Sequence, residues 1–426
     1  MAHRFFATAV LAACLAGAVG CPAAEEAAAK DNPAHETTIR AAVGKETVGP
    51  SVQYLALDAP AGMSQAVIVQ GFPLVYTRQL EPLDRDGKLV GPDSADQQIE
   101  QVLANLEAVL ADAGSGLDKL VRVNVYALSP AIVGRFRQQL SKRLDSSVRP
   151  AITAVLTPLP YRKAMVAVDA VAVAASKRQG VTSGRCQYVH GEKDCADAAI
   201  MPPGGVAYLS GRPEEGGLAR SAVAKSLSVQ LKVLQQLKLS PADVVQVKLF
   251  LSPAAAADEA LGEVKKFFPG VTPPVVFVEW LAAVPVEIEL IAQLPPAGKP
   301  APTVEYYNPP DVVPSPSFSR VALVHSQRQI FVSGLLARAA GKGEAQAGDV
   351  FDQLEAILEK AGGDTLHLAK ATYYVDDDDA SRGIDKARAE FLDPKRPPAA
   401  SKVTVHGVGQ AGRTLTVDMI AVGSGQ

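Results

Sequence analysis

The sequence lacks the features of a protein that binds polyanions. Its 42 lysine and arginine residues are outnumbered by 45 aspartate and glutamate residues, which leaves a formal net charge of −3. It also has no long run of basic residues. Because nucleic acids are bound mainly by basic surfaces that contact phosphates, we do not expect a nucleic-acid partner.

Common catalytic motifs are also missing. The sequence has no phosphate-binding glycine loop, no dinucleotide fingerprint and no nucleophile elbow. Outside the N-terminal region and the cysteine-rich segment near residue 190, histidines are scattered, at His325, His367 and His406. Because they lack the spacing of metal ligands, no metal site is expected.

Cysteine is scarce as well. Of the four cysteines, Cys14 and Cys21 lie near the N-terminus, and Cys186 and Cys195 lie near the middle of the chain. The second pair predicts a disulfide in an oxidising compartment, worth roughly 2–3 kcal/mol for such a short loop. The alternative is a metal site that includes His190, but two cysteines and one histidine do not complete a zinc site.

The N-terminus resembles a bacterial export signal over residues 1–21. Arg4 supplies positive charge, and the apolar stretch 5–19 is too short to span a bilayer comfortably. Residues 18–21 resemble a lipobox, which predicts lipidation of Cys21; the alternative is simple secretion with cleavage near Ala24. We expect a protein exported from a bacterial cytoplasm to the periplasm or cell envelope, touching the membrane only through such an anchor.

Residues 22–50, rich in alanine, glutamate and proline, are expected to form a flexible tether. Beyond them, one pattern recurs three times, in residues 120–126, 244–250 and 368–374, at a spacing of 124 residues. A repeat of this length is a small domain rather than a solenoid unit. The predicted repeats span 51–176, 185–296 and 303–426.

Each repeat shows the same predicted order of strands and helices. In the first helix of repeat 1, apolar residues recur at helical spacing between Ile99 and Leu110. Ser94 and Gln97 have the spacing of a capping box, and Gly114 predicts the end of the helix. The pattern predicts an α+β unit, a mixed β-sheet with two helices on one face. Because the other sheet face is also apolar, we expect three sheets to pack around a pseudo-threefold axis, giving a monomeric pseudotrimer.

Four motifs of repeat 3 resemble the Rid family (reactive intermediate deaminases, or YjgF-like proteins), some members of which are described as endoribonucleases. Residues 318–321 resemble its Tyr-Ser-Gln-Ala, 332–334 its Ser-Gly turn, 398–401 its Pro-Ala-Arg-Ser, and 417–421 its Ile-Glu-Ala-Ile-Ala. The resemblance implies tandem chorismate-mutase-like domains with clefts between them. It also implies hydrolysis of imines and enamines of amino acids to ammonia and 2-keto acids, without metal or organic cofactor.

The resemblance also implies two site residues that this chain largely lacks. The family arginine, which binds the substrate carboxylate, is replaced at all three positions, by Ile152, Val275 and Ala400. The glutamate that assists the water is retained only as Glu287, the predicted catalytic residue; its counterparts are Ala167 and Thr416.

Five other residues are candidate ligand contacts. Lys402 follows Ala400 by two positions on a strand and is expected to point to the same face. Arg78, next to Thr77, would place a cation at another cleft. Ser210 and Ser333 belong to Ser-Gly turns, and Phe318 stands at the position of the family's pocket tyrosine. The alternatives are a solvated surface lysine for Lys402 and a loop charge for Arg78.

These observations lead to three hypotheses. The first is a protein with degenerate family sites that binds a small molecule between repeats. The second is a cofactor-independent imine or enamine deaminase with an unusual substrate. The third, a ribonuclease, fits neither the net charge nor the predicted export and ranks last.

Overall fold

The computed structural model describes residues 49–175, 179–216, 219–296 and 301–423. Cys21 and the predicted signal lie outside the described residues, as does most of the tether. Among the described helices, none is long and apolar enough to cross a bilayer.

The three repeats share one order of elements, two hairpin strands followed by strand, helix, strand, helix and two strands. Repeat 1 contains β1 (Ser51–Leu55), β2 (Ala66–Gln70), β3 (Leu74–Thr77), α1 (Ala95–Asp112), β4 (Leu120–Ala127), α2 (Pro130–Arg143), β5 (Ala151–Leu156) and β6 (Val166–Val173). Repeat 2 contains β7 (Thr182–Gly184), β8 (Ala198–Met201), β9 (Gly205–Glu214), α3 (Ala219–Gln236), β10 (Val244–Leu251), α4 (Ala257–Val264), β11 (Val275–Glu279) and β12 (Val286–Leu294). Repeat 3 contains β13 (Val304–Tyr307), β14 (Val321–Val324), β15 (Arg328–Leu335), α5 (Gly343–Lys360), β16 (Gly363–Val375), α6 (Asp378–Phe391), β17 (Ala399–Thr404), β18 (Gly407–Val408) and β19 (Leu415–Gly423).

Local sequence signals explain the ends of the first helix. The Ser94 hydroxyl accepts a hydrogen bond from the Gln97 amide at 3.4 Å and caps the start of α1. Gly114 follows the helix with a φ of 72°, a left-handed conformation that glycine adopts without strain. The predicted cap at Ser94 and the predicted helix end at Gly114 are confirmed.

Five apolar clusters form the interior. Three lie between a sheet and its helices, and Leu103, Leu227 and Leu354 are fully buried there. A fourth joins the inner faces of the three sheets and contains Tyr76, Tyr208 and Phe331, and a fifth also draws residues from all three repeats. Each sheet therefore buries one face against helices and the other against its neighbours, and the predicted pseudotrimer of α+β units is confirmed.

The sheets are completed by an exchange of hairpins, which the repeat pattern did not predict. Each sheet contains four strands of one repeat and the first hairpin of the next, in a closed cycle, and the short strand β18 of repeat 3 joins the edge of the repeat 1 sheet. The strand orders are β18-β5-β4-β6-β3-β8-β7, β11-β10-β12-β9-β14-β13 and β17-β16-β19-β15-β2-β1. The chain crosses from one sheet to another at residues 71–73, 202–204 and 325–327, within each repeat rather than between repeats.

Cross-linking tests the exchange. Ile68 pairs with Ile330 of repeat 3, whereas an ordinary hairpin in repeat 1 would place Ile68 opposite Val75. In a background without the native cysteines, the Ile68→Cys, Ile330→Cys double variant is expected to form a disulfide, because paired strand residues lie within its reach. The matched Ile68→Cys, Val75→Cys variant is expected to stay reduced. Peptide mass spectrometry reads the result, and the opposite pattern would refute the exchange.

Candidate functional site

The three interfaces between repeats place equivalent residues side by side. We name them cleft 1–2, cleft 2–3 and cleft 3–1 after the repeats that form them. At each one, a backbone amide at the end of β3, β9 or β15 donates to a carbonyl beside the exchanged hairpin. These bonds run from Arg78 to Asp197 (3.0 Å), from Ser210 to Arg320 (3.0 Å) and from Ser333 to Gln65 (2.8 Å).

Ser210 and Ser333 connect strands rather than contact an open space. The Ser210 hydroxyl donates to the carbonyl of Ser319 at 2.5 Å and accepts from the amide of Ala400 at 2.7 Å. Ser333 makes the same two contacts in cleft 3–1, with the carbonyl of Ser64 at 2.6 Å and the amide of Ile152 at 2.9 Å. Both serines are almost fully buried. The expectation that they bind a ligand is corrected, because each hydroxyl donates its hydrogen to one backbone carbonyl and accepts from one backbone amide of the next repeat.

Arg78 stands in cleft 1–2 at the position that Ser210 and Ser333 hold in the other two clefts. Its guanidinium donates to Asp197 Oδ1 at 2.7 Å, to Glu81 Oε2 at 3.0 Å and to the carbonyls of Gln79 and His190. A cation with these four hydrogen bonds has little capacity left for a ligand. The expectation that Arg78 binds an anion is therefore corrected: it stabilises the interface.

Glu287 lies in cleft 2–3, beside Gly211 and the hydroxyl of Ser401. A Cβ on Gly211 would come within 1.8 Å of the Glu287 carboxylate, so only glycine leaves room for it. The pKa of Glu287 is raised to about 7, mainly by burial and also by the nearby carboxylate of Glu289. Ser401, Lys370 and Arg320 oppose this shift. Glu287 is therefore poised to exchange a proton near neutral pH.

Arg320 faces the same cleft from the hairpin of repeat 3. Its guanidinium carbon lies 5.0 Å from the centre of the Phe318 ring, a cation–π arrangement. Burial lowers the pKa of Arg320, as does the nearby Arg212, whereas Glu287 raises it. Arg212 itself forms an ion pair with Glu214 at 3.0 Å. Cleft 2–3 thus combines a half-buried cation, an aromatic face and a carboxyl group with a raised pKa.

Lys402 does not replace the missing arginine. Its ammonium group pairs with Asp385 of α6 at 2.6 Å, and Asp385 also pairs with Arg388 at 2.7 Å. The lysine follows Ala400 on the strand face that packs against the helices, since Ala400 belongs to the helix-side cluster of repeat 3. The prediction that Lys402 points into a ligand cleft is therefore wrong.

The other two clefts lack the catalytic carboxylate. In cleft 3–1 its position is held by Thr416, whose hydroxyl donates to the carbonyl of Leu335 at 2.9 Å. In cleft 1–2 it is held by Ala167, and Gln79 fills the place of Gly211 with hydrogen bonds to the backbone of Phe277. The position of Arg320 is occupied by Gln65 in cleft 3–1 and by Asp197 in cleft 1–2.

Cys186 and Cys195 are buried free thiols, so the predicted disulfide is corrected. Cys186 packs into the helix–sheet core of repeat 1, with its sulfur 3.6 Å from the carbonyl of Ala108. Cys195 instead pairs through its backbone with Thr272 of repeat 2. The two side chains belong to different surroundings although only nine positions separate them.

A second group of charges lies on the pseudo-threefold axis around a cavity of about 40 Å³. Glu289, two positions after Glu287 on β12, forms an ion pair there with Lys370. Arg122 pairs with Asp418 at 2.8 Å, and Asp169 accepts hydrogen bonds from Asn124 and Tyr126. Burial alone would lower the pKa of Lys248, but Tyr374 and the three axial carboxylates outweigh it and raise that pKa. These charges compensate one another in the interior, so removing one partner of a pair would leave a buried charge without compensation.

Sequence reasoning missed Arg320 and the axial charges, although both left signals. Arg320 replaces the neutral glutamine of the family's Tyr-Ser-Gln-Ala motif with a cation. The axial acids Asp169, Glu289 and Asp418 each follow the catalytic position by two residues.

Comparison with known proteins identifies the family. A sequence model of the family described as Endoribonuclease L-PSP matches residues 54–174 and 311–422, together more than half of the chain. The chain belongs to this family. The matched segments correspond to repeats 1 and 3.

Relatives of the Endoribonuclease L-PSP family are about as long as one repeat. The putative regulator AldR of Lactococcus lactis is 33% identical over 27% of this chain and 92% of its own length. The mitochondrial protein MMF1 of Saccharomyces cerevisiae is 32% identical over 26% of this chain and 74% of its own length. A solved Rid family protein of unknown function, YyfB from Yersinia pestis, is 26% identical over 29% of this chain and 98% of its own, with a TM-score of 0.25.

The raised pKa of Glu287 predicts a pH dependence of stability. The folded pKa of Glu287, about 7, exceeds its reference value of 4.5. The contribution of this group to the unfolding free energy is therefore full below about pH 4.5 and is lost as the pH rises through 7. Glu287→Gln stays neutral and should reduce the loss of unfolding free energy between pH 5 and 8 by about 2 kcal/mol. Urea unfolding at both pH values measures this, with the exposed Glu355→Gln as control. Equal losses in wild type and Glu287→Gln would contradict the assignment.

Proposed function

We propose that this protein binds a small carboxylic acid in cleft 2–3 and holds its carboxylate with Arg320. The observation that carries the proposal is the partial burial of the Arg320 guanidinium without an ion-pair partner among the described residues. The guanidinium is half buried and stacked on Phe318, and within the described residues it makes no side-chain hydrogen bond or ion pair. Partly desolvating a cation without a counter-ion is costly, and a bound carboxylate would offset that cost.

The charges around Arg320 favour an anion over a neutral ligand. Arg212 adds positive potential, strong enough to lower the pKa of Arg320. Glu287 is the opposing charge, but its own pKa near 7 means that it is partly protonated at neutral pH. A planar guanidinium also matches a carboxylate with two parallel hydrogen bonds. Arg320 therefore takes over, from a different strand, the task of the arginine replaced by Ala400.

A second function, hydrolysis of an imine or enamine acid, is favoured by Glu287. A carboxyl group with a pKa of about 7 can accept a proton from water and return one to a leaving amine at neutral pH. The Glu287 side chain belongs to repeat 2 and lies beside the hydroxyl of Ser401, which belongs to repeat 3. Family membership supports a role in binding or deamination, and this geometry supports cleft 2–3 as its location. Ribonuclease activity remains the weakest hypothesis, given the net charge.

Two wider parts of the proposal concern the whole chain. We propose export, supported by the N-terminal pattern that ends at Cys21; cell fractionation of wild type and Cys21→Ser would test it. We also propose that the chain is a monomer, because its three sheets satisfy one another. Light scattering at a mass of three chains would refute this.

Binding of 2-oxobutanoate tests the role of Arg320. Isothermal titration calorimetry should show binding to wild type and at least about tenfold weaker binding to Arg320→Met, since this removes a cation of the cleft that has no ion-pair partner among the described residues. The matched control is Arg135→Met, which removes an exposed arginine that pairs with Asp96 on the surface. Equal affinity in Arg320→Met and wild type would refute this site.

Ammonia release tests the role of Glu287. With 2-iminobutanoate generated in situ, Glu287→Gln is expected to lose at least about tenfold in turnover while 2-oxobutanoate binding persists. Lost turnover with retained binding separates proton transfer from carboxylate binding. If wild type releases no ammonia above the uncatalysed rate, the hydrolase function is rejected and the binding function alone remains.

A further inference from the structure

Cleft 1–2 contains a separate cavity of about 100 Å³ that the proposed function does not use. Repeat 1 contributes Glu81 and Tyr161 to its walls, and repeat 2 contributes Asp258 and Phe277. The volume is far below that of a pocket for a drug-sized molecule, so a ligand here must be small. The question is which charge such a ligand would carry.

The arginine and lysine charges near this cavity are already committed to other partners. Arg78 donates hydrogen bonds to Asp197, Glu81 and two backbone carbonyls. Lys265, beside the rim, pairs with Glu192. The place of the family arginine is held by Val275. A bound anion would therefore find no available partner among these residues.

Negative charge, in contrast, is not fully compensated. Asp258 lies exposed in the first turn of α4, and within the described chain it forms no ion pair. The pKa of Tyr161 is raised by burial and then by Glu81 and Asp258, which places both carboxylates near its hydroxyl. Glu81 is compensated by its ion pair with Arg78. The uncompensated negative charge at this end of the cavity is therefore that of Asp258.

The remaining walls suit an alkyl chain. Leu83, Leu261 and Phe277 supply apolar surface, and the ring of Tyr161 offers a π face to a cation. An ammonium group near Asp258 and Tyr161 would let an attached chain of a few carbons lie against these side chains. Charge, shape and apolar lining agree on one class of ligand.

We propose that cleft 1–2 binds a small organic ammonium ion, such as a primary alkylamine, with Asp258 and Tyr161 at its charged end. Cleft 2–3 differs in the charge that lacks a partner, since among the described residues Arg320 forms no side-chain ion pair there and Asp258 forms none here. One fused chain thus carries two clefts with opposite charge preferences. The proposal does not rest on the carboxylate site, because no residue is shared between the two.

Calorimetric titration with n-butylammonium tests the proposal, with 1-butanol as the neutral ligand of similar size. Wild type is expected to bind butylammonium at least fivefold more tightly than butanol. Asp258→Asn should weaken butylammonium binding by about fivefold or more, because it removes one charge at a partly solvated site and leaves the shape unchanged. The matched control is Asp378→Asn, an exposed acid in the first turn of α6 in repeat 3. It is expected to bind like wild type.

Three results would overturn the proposal. These are no butylammonium binding up to millimolar concentration, equal affinity for butanol, or equal loss in Asp258→Asn and Asp378→Asn. Repeating the titration with Arg320→Met separates the two sites. If both proposals hold, that variant loses 2-oxobutanoate binding and keeps butylammonium binding. Absence of one ligand's binding in wild type rejects only the proposal for the cleft assigned to that ligand.

Discussion

Every sheet of this protein depends on two strands that belong, in sequence, to another repeat. The hairpin of repeat 2 completes the sheet of repeat 1, that of repeat 3 completes repeat 2, and that of repeat 1 closes the cycle on repeat 3. Because only three residues connect each hairpin to its own repeat, neighbouring sheets are held at a fixed distance. The hydrogen bonds from the Ser210 and Ser333 hydroxyls to the neighbouring repeats lie where the exchanged hairpins meet those sheets. Any ligand cleft between repeats inherits this rigid frame.

Within that frame, fusion has made the three clefts chemically different. A symmetric trimer must carry three identical sites, whereas one chain can vary each copy separately. The position beside the exchanged hairpin carries Arg320 in cleft 2–3, Gln65 in cleft 3–1 and Asp197 in cleft 1–2. Only cleft 2–3 also keeps the carboxyl group of Glu287. The clefts therefore differ in the residues at equivalent positions, while the axial ion pairs and apolar inner faces hold all three in the same architecture.

Much of the fold could be predicted from local patterns. The helical spacing between Ile99 and Leu110, the cap at Ser94 and the apolar alternation of the strands all act within a few residues, and the structure confirms them. The hairpin exchange could not be predicted, because a three-residue connection fits an ordinary hairpin and an exchanged one equally well. The same limit explains Lys402: strand alternation assigns it to the face of Ala400 but does not say that this face packs against helices, where Asp385 neutralises it. Comparison with the family motif singles out Glu287 because it retains a family residue. It passes over Arg320 because that cation stands where the family motif has a neutral glutamine.

The central claim is that unequal charges at equivalent positions give the clefts different ligands. A crystal structure of the protein soaked with 2-oxobutanoate tests it most directly. The account predicts electron density for the acid in cleft 2–3 alone, with its carboxylate within hydrogen-bonding distance of Arg320. Density of equal strength in cleft 3–1 or cleft 1–2, or a carboxylate turned away from Arg320, would contradict the account.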